Sequence, residues 1–297
     1  MKRTGFIAIV GRPNAGKSTL MNAMLGEKVA IVSKKPQTTR TKIMGILTKN
    51  EDQFIFIDTP GMHRPKNKLG SNMIKSIRSA VSGVDGVILV ADASYAPGEV
   101  ERNFIERFKK DKTPVILALN KTDLSDPAKI AQVITEYSAL GDYASVVPLS
   151  ALKNDGVDIV IDEASKLLYE GDWMFDEDSL TDQPEKQIAA ETIREKLLRL
   201  IDNEIPHGCA VVIEEFADEG TLIRIRAEIF CERESHKKII IGKKGEMLKK
   251  VGSYAREDLE TFFGVKVFLD LWVKVKENWR DSELIINNFG IKDEDKK

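Results

Sequence analysis

The chain has 297 residues, 42% hydrophobic and 31% charged, which is length for two domains and the composition of soluble proteins with real cores. A formal net charge of −2 points to no polyanionic partner by itself, so only the distribution of charge can. Met1-Lys2-Arg3-Thr4-Gly5 fits no signal peptide, and no apolar run approaches the ~18 residues of a membrane span. Cys209 and Cys231 have no C-x-x-C spacing and no histidine pair nearby, so they are expected as small core residues of a reduced, cytoplasmic protein. No internal repeat or low-complexity tract is present.

Phe6–Val10 is an apolar strand pattern and Thr19–Leu25 a helical one; between them stands Gly11-Arg12-Pro13-Asn14-Ala15-Gly16-Lys17-Ser18. A G-x-x-x-x-G-K-[ST] set between strand and helix is a P-loop, whose backbone N–H groups and helix N-terminus attract phosphate. Lys17 is then expected at the β- and γ-phosphates and Ser18 at Mg²⁺. After Val29–Val32 comes a polar segment, Ser33 to Arg40, that suits neither helix nor strand. It stands where a nucleotide-sensing loop would stand, and Thr39, rather than Thr38, is the expected second hydroxyl for Mg²⁺.

Lys42–Thr48 and Gln53–Ile57 are predicted strands, the second ending in Asp58-Thr59-Pro60-Gly61. Downstream of a P-loop, this D-x-x-G places Asp58 at Mg²⁺ and the Gly61 N–H at the γ-phosphate. Met62 to Lys75, rich in glycine, proline and basic residues, is expected as a mobile loop leading into a helix. Strands over 86–91, 114–119 and 145–149 alternate with helical patterns near 98–110 and 127–138, which predicts a mostly parallel sheet with helices on both faces.

The strand over 114–119 runs into Asn120-Lys121-Thr122-Asp123. Asp123 can accept from guanine N1–H and its exocyclic amine, a donor pair that adenine lacks. Asn120 is expected to bridge to the P-loop, and the Lys121 stem to cover the base. The Ala151 N–H within Ser150-Ala151-Leu152 is expected at the guanine carbonyl.

The set GRPNAGKS, QTTR, DTPG, NKTD and SAL resembles a Ras-like, translation-factor-related GTPase over about residues 1–170, and the first two motifs resemble its Era branch. The resemblance implies a GTP site of Gly11, Arg12, Pro13, Asn14, Ala15, Gly16, Lys17, Ser18, Thr19, Asp58, Thr59, Pro60, Gly61, Met62, Asn120, Lys121, Asp123, Ser150, Ala151 and Leu152. It implies Mg²⁺ at Ser18, Thr39 and Asp58, and catalytic roles for Asn14, Lys17, Thr39 and Gly61. Met62 occupies the place of the water-orienting glutamine of Ras-type proteins, and a thioether offers an attacking water no useful hydrogen bond. In related members the matching P-loop asparagine helps hold K⁺, a charge that can replace an arginine finger, so K⁺ at Asn14 is expected here.

Residues 171–183 lose periodicity and are expected as a linker with Trp173 and Phe175 docked on a domain surface. From 184 to 276 the order is helix, strand, strand, helix, Gly242-Lys243-Lys244-Gly245, helix, strand, which resembles an α+β type II KH domain; residues 277–297 complete the chain as a helix and charged tail. KH domains clamp about four nucleotides of single-stranded RNA at such a glycine turn. The expected RNA contacts are Lys237, Lys238, Ile241, Gly242, Lys243, Lys244 and Gly245, with Ile239, Ile240 and Ile241 shaping the groove. Between Ser235 and Arg256 seven basic side chains face one acid, Glu246, and Lys249 and Lys250 fit a solvated helix face best.

A GTPase followed by a type II KH domain implies an RNA-binding switch acting on the 3′ end of small-subunit (16S) ribosomal RNA in 30S assembly, as a cytoplasmic monomer. The alternative is a nucleotide-gated scaffold for a protein or membrane partner, and a peripheral contact with the inner face of the cell membrane stays open. His63, His207 and His236 have no partners at recognisable spacing and receive no role.

Overall fold

The computed structural model describes residues 1–33, 35, 37–62, 67–202 and 205–289. Its first half is built on β1 (Arg3–Val10), β2 (Ile43–Lys49), β3 (Asp52–Asp58), β4 (Gly86–Asp92), β5 (Val115–Asn120) and β6 (Ser145–Pro148), in the sheet order β2-β3-β1-β4-β5-β6. All neighbours are parallel except β2, which runs antiparallel to β3. A short β7 (Tyr169–Glu170) pairs antiparallel with the start of β1.

The near-continuous apolar strands require cover on both faces. Helix α1 (Lys17–Leu25) and α5 (Val157–Ser165) bury one face; α2 (Lys68–Val81), α3 (Glu99–Asp111) and α4 (Pro127–Ser138) bury the other. Local chemistry sets some of these boundaries: Asp126 accepts from the Lys129 N–H at 2.9 Å, and Pro127 opens α4. α5 is absent from the expected elements, although Val157, Val160, Ile161 and Ala164 form a helical stripe. Val29, Ala30 and Ile31 are buried without joining a strand.

The second half contains α6 (Glu185–Leu200), β8 (Ala210–Asp218), β9 (Leu222–Cys231), α7 (Glu234–Ile241), α8 (Glu246–Phe263) and β10 (Lys266–Val275). β9 is central, antiparallel to β8 and parallel to β10. The helices pack on one face over Ile193, Leu197, Ile229, Ile240 and Val251. This is the expected architecture, a Ras-like α/β domain followed by a type II KH domain.

Two segments join the halves. The stretch after β7 covers the edge of β2: the Ile46 N–H donates to Leu180 O at 2.9 Å, and Thr181 Oγ1 donates to Met44 O at 2.6 Å. Trp173 Nε1 donates to Glu51 O at 3.2 Å with Lys2 Nζ 3.8 Å above its ring, so an otherwise open strand edge is occupied from within the chain. After β10, Trp279 and Ile286 of the segment leading through α9 (Glu283–Asn288) are buried against Leu69 and Met73 of α2.

Candidate functional site

The P-loop turns between β1 and α1 in a form that only glycine permits at two points. Gly11 has φ 149°, and a Cβ there would lie 2.2 Å from Val90 O; Gly16 has φ 102°, and its Cβ would lie 2.1 Å from Asn120 Nδ2. Asn120 Nδ2 donates to Ala15 O at 2.9 Å, which ties the end of β5 to the loop as expected. Lys17 is buried, and its Nζ donates to Gly11 O at 3.2 Å and Arg12 O at 2.9 Å. Burial lowers its pKa to about 8 against the opposing charge of Asp58. The side chain of Arg12 turns to the buried Glu101 of α3 and to Ala96 O at 3.3 Å, so the loop receives its backbone.

Ser18, Thr39 and Asp58 meet from three separate segments. Ser18 Oγ donates to Asp58 Oδ2 at 2.5 Å and lies 3.0 Å from Thr39 Oγ1, which lies 3.4 Å from the same carboxylate oxygen. Asp58 is fully buried, its Oδ1 makes no hydrogen bond among the described residues, and burial raises its pKa despite the nearby Lys17, Ser18, Thr39 and Thr59 N–H. A buried carboxylate with one orphaned oxygen beside two hydroxyls is a donor set that suits a hard divalent cation. Gly61 packs on the P-loop, where a Cβ would approach Pro13 Cα to 2.7 Å. Thr59 Oγ1 donates to Ile9 O at 2.9 Å, Pro60 is buried, and Met62 packs against the core under α2 and α3. Asn14 stands exposed at φ 61° and lines the same pocket as Lys17, Ser18, Thr19 and Thr39.

At the base-recognition end, Ser150 Oγ donates to Asp123 Oδ1 at 2.6 Å, while Leu152 is exposed. The Ala151 N–H, expected at a guanine carbonyl, is held by Asn120 Oδ1 at 2.9 Å. Lys121 Nζ reaches Asp92 Oδ2 at 2.8 Å; burial would raise that carboxyl, but the lysine and the Ser94 N–H outweigh it and hold it below its usual value.

In the second half, the Gly242–Gly245 turn lies between α7 and α8, with Gly242 at φ 74°, Lys244 at φ 53° and Gly245 at φ 82°. Lys238, Lys243 and Lys244 are exposed and Lys237 half-buried. A groove between α8 and β10 opens at Gly245 and runs along Leu248, Lys249, Gly252, Ser253 and Arg256, with Phe268 and Leu271 opposite. Its floor differs from the expectation. Ile240 is in the core, Ile239 is exposed at 48%, and the groove wall is formed by α8 and β10. Lys249 is exposed, as expected of a solvated face, and also lines the groove. The signal was the small pair Gly252-Ser253 one helical turn beyond Leu248. The two cysteines are buried, with Cys209 raised to about 12 by burial, as core residues would be.

The model of the 50S ribosome-binding GTPase family matches residues 6–121, and that of the KH domain matches 204–280. GTPase Era of Ruminiclostridium cellulolyticum is 50% identical over 98% of both chains, and GTPase Era of Clostridioides difficile is 47% identical over 99% of this chain and all of its own. The chain belongs to the Era family of GTPases. Two solved Era structures are each 38% identical and cover 98% of the chain: an Aquifex aeolicus Era variant bound to GDP·AlF4⁻, at a TM-score of 0.93, and Era with MgGDPNP and nucleotides 1506–1542 of 16S ribosomal RNA, at 0.94.

In this Era-family chain the loop carrying Thr39 is also gripped by the KH half, through α6 residues that carry no local signature and through Arg40 of the QTTR motif. The Val32 N–H donates to Glu195 Oε1 at 2.9 Å, Arg199 Nε to Val32 O at 3.0 Å, and Arg194 to Thr38 O. Buried Arg40 donates to Cys209 O at 2.7 Å and His207 O at 2.9 Å. Lys28, just past the P-loop helix, bridges Glu195 at 2.6 Å and Asp258 of α8 at 2.5 Å.

Proposed function

We propose that this GTPase is a nucleotide-gated RNA-binding switch in assembly of the small ribosomal subunit, binding the 3′ end of 16S ribosomal RNA. The observation that carries it is the full-length likeness to an Era solved with MgGDPNP and nucleotides 1506–1542 of 16S ribosomal RNA. The P-loop N–H groups and Lys17 hold the phosphates, and Asp123 selects guanine. Ser18, Thr39 and Asp58 are the residues that would hold Mg²⁺, which when bound neutralises charge on the β- and γ-phosphates. Asn14 is the residue that would hold K⁺ beside them, and equal GTP turnover in potassium and sodium would remove that role. GTP orders the segments of Thr39 and Asp58–Gly61, hydrolysis releases them, and access to the KH groove changes with that state. The protein works in the cytoplasm in this reading, and no described helix is long and apolar enough to cross a membrane.

The test is fluorescence anisotropy of the full-length chain with a labelled RNA of the small-subunit 3′ end, in GDP and in a non-hydrolysable GTP analogue. Tighter binding with the analogue is expected. Equal affinity in the two states would refute the gating, and no binding in either would refute the RNA assignment.

A further inference from the structure

The KH half holds the loop before β2 at several points, and the last of these adjoins the cation site. Thr39 faces Ser18 and Asp58, while Arg40, the next residue, is sunk into the other domain with its guanidinium on the carbonyls of His207 and Cys209. Consecutive Cα atoms are about 3.8 Å apart across one planar peptide unit, so a shift of one residue is passed to the other. On the preceding side, Thr38 O is held by Arg194 of α6, so Thr39 is bracketed by KH contacts. Arg40 also lies 5.7 Å from the ring of buried Trp279, which packs on Leu69 and Met73 of α2, the helix that follows Asp58–Gly61.

We propose that Arg40 is a positioning residue for GTP hydrolysis: clamped on the His207 and Cys209 carbonyls, it fixes Thr39 at the cation site, so the KH domain completes the catalytic site of the GTPase domain. This rests on the GTPase assignment above and adds the direction from RNA-binding domain to catalysis. A guanidinium suits the task because its fork reaches two carbonyls in fixed geometry, which the single ammonium of lysine cannot reproduce. GDP has no γ-phosphate to engage the Thr39 segment, so the clamp matters for GTP and not for GDP.

The test compares the full-length chain with Arg40→Ala and Arg40→Lys, measuring kcat and KM for GTP over a range of Mg²⁺ concentrations, GDP affinity, and melting temperature. Arg40→Ala is expected to lower kcat about tenfold or more, since small misplacements of catalytic groups carry losses of that order. It is also expected to raise the Mg²⁺ concentration needed for half-maximal turnover, while GDP affinity stays within about twofold. Arg40→Lys should fall between the two. Wild-type kcat and Mg²⁺ requirement in Arg40→Ala would overturn the proposal, as would GTP and GDP affinity falling together with kcat unchanged. Should Arg40→Ala not fold, Arg40→Lys decides alone: a lower kcat with GDP affinity within about twofold is expected, and wild-type kcat and Mg²⁺ requirement there overturn the proposal. A wild-type chain that leaves GTP intact would defeat the hydrolase assignment itself, an outcome separable from equal turnover in wild type and variant.

Discussion

At the scale of single residues, the proposed choice of guanine rests on one exposed carboxylate. Asp123 is positioned by Ser150 Oγ at 2.6 Å, so its acceptors face a fixed direction before any base arrives. Asp123→Asn replaces an acceptor with a donor. GTP affinity should fall about 10- to 100-fold, the value of charge-assisted hydrogen bonds, and xanthine nucleotides should gain. Competition binding with GDP and xanthosine diphosphate measures this, and retained GDP preference would remove Asp123 from base recognition. Asn14 and Met62 make a second pair at this scale. Met62, in the place of a water-orienting glutamine, packs half-buried against the core, and the K⁺ dependence expected of Asn14 is tested by turnover in potassium against sodium.

At the scale of elements, the KH groove shows how a helix and a strand make a site that neither holds alone. Gly252 on α8 leaves room beside Leu271 of β10, to which a Cβ would come within 3.4 Å. Exposed Lys243 and Lys244 immediately precede Gly245, where the groove opens. Replacing both with aspartate should weaken RNA binding about tenfold or more and flatten its salt dependence, because phosphate contacts act through counterion release. GTP turnover without RNA should be unchanged. RNA affinity and salt slope equal to wild type would show that the turn is only a surface loop.

At the scale of the whole molecule, the two domains share a charged interface around Glu195, which is fully buried, and Asp258. Burial pushes both carboxyls up, but hydrogen bonds from Lys28 to Glu195, and from Lys196 and Lys28 to Asp258, outweigh it and hold them below their ordinary values of 4.5 and 3.8. A carboxylate held low in the fold adds stability that is complete above its ordinary value and is lost as pH falls through the folded one. The interface should therefore weaken progressively below about pH 4.5. Lys28→Met should cost about 1 kcal/mol at neutral pH, since Lys28 is 41% exposed, and should flatten the acid limb of a denaturant-measured stability curve. An acid limb identical to wild type would count against the network.

The sequence by itself determined the chemistry and the order of parts. Gly11–Ser18, Asp58–Gly61, Asn120–Asp123 and Gly242–Gly245 are each continuous in the chain, and each motif requires its residue types within a few positions. Strand and helix periods supplied most of the other elements, apart from α5 and β7. Tertiary structure alone decided which charges are buried and how the domains face each other. Nothing near Arg40, Arg194 or Glu195 in the chain marks them as buried, because their partners lie about 160 residues away and burial is a property of the pair. The same holds for Trp279, whose packing on α2 turns the segment after β10 into a bridge between the domains. The groove between α8 and β10 likewise appeared only once those elements were set side by side, since its walls come from residues ordinary in their own neighbourhoods.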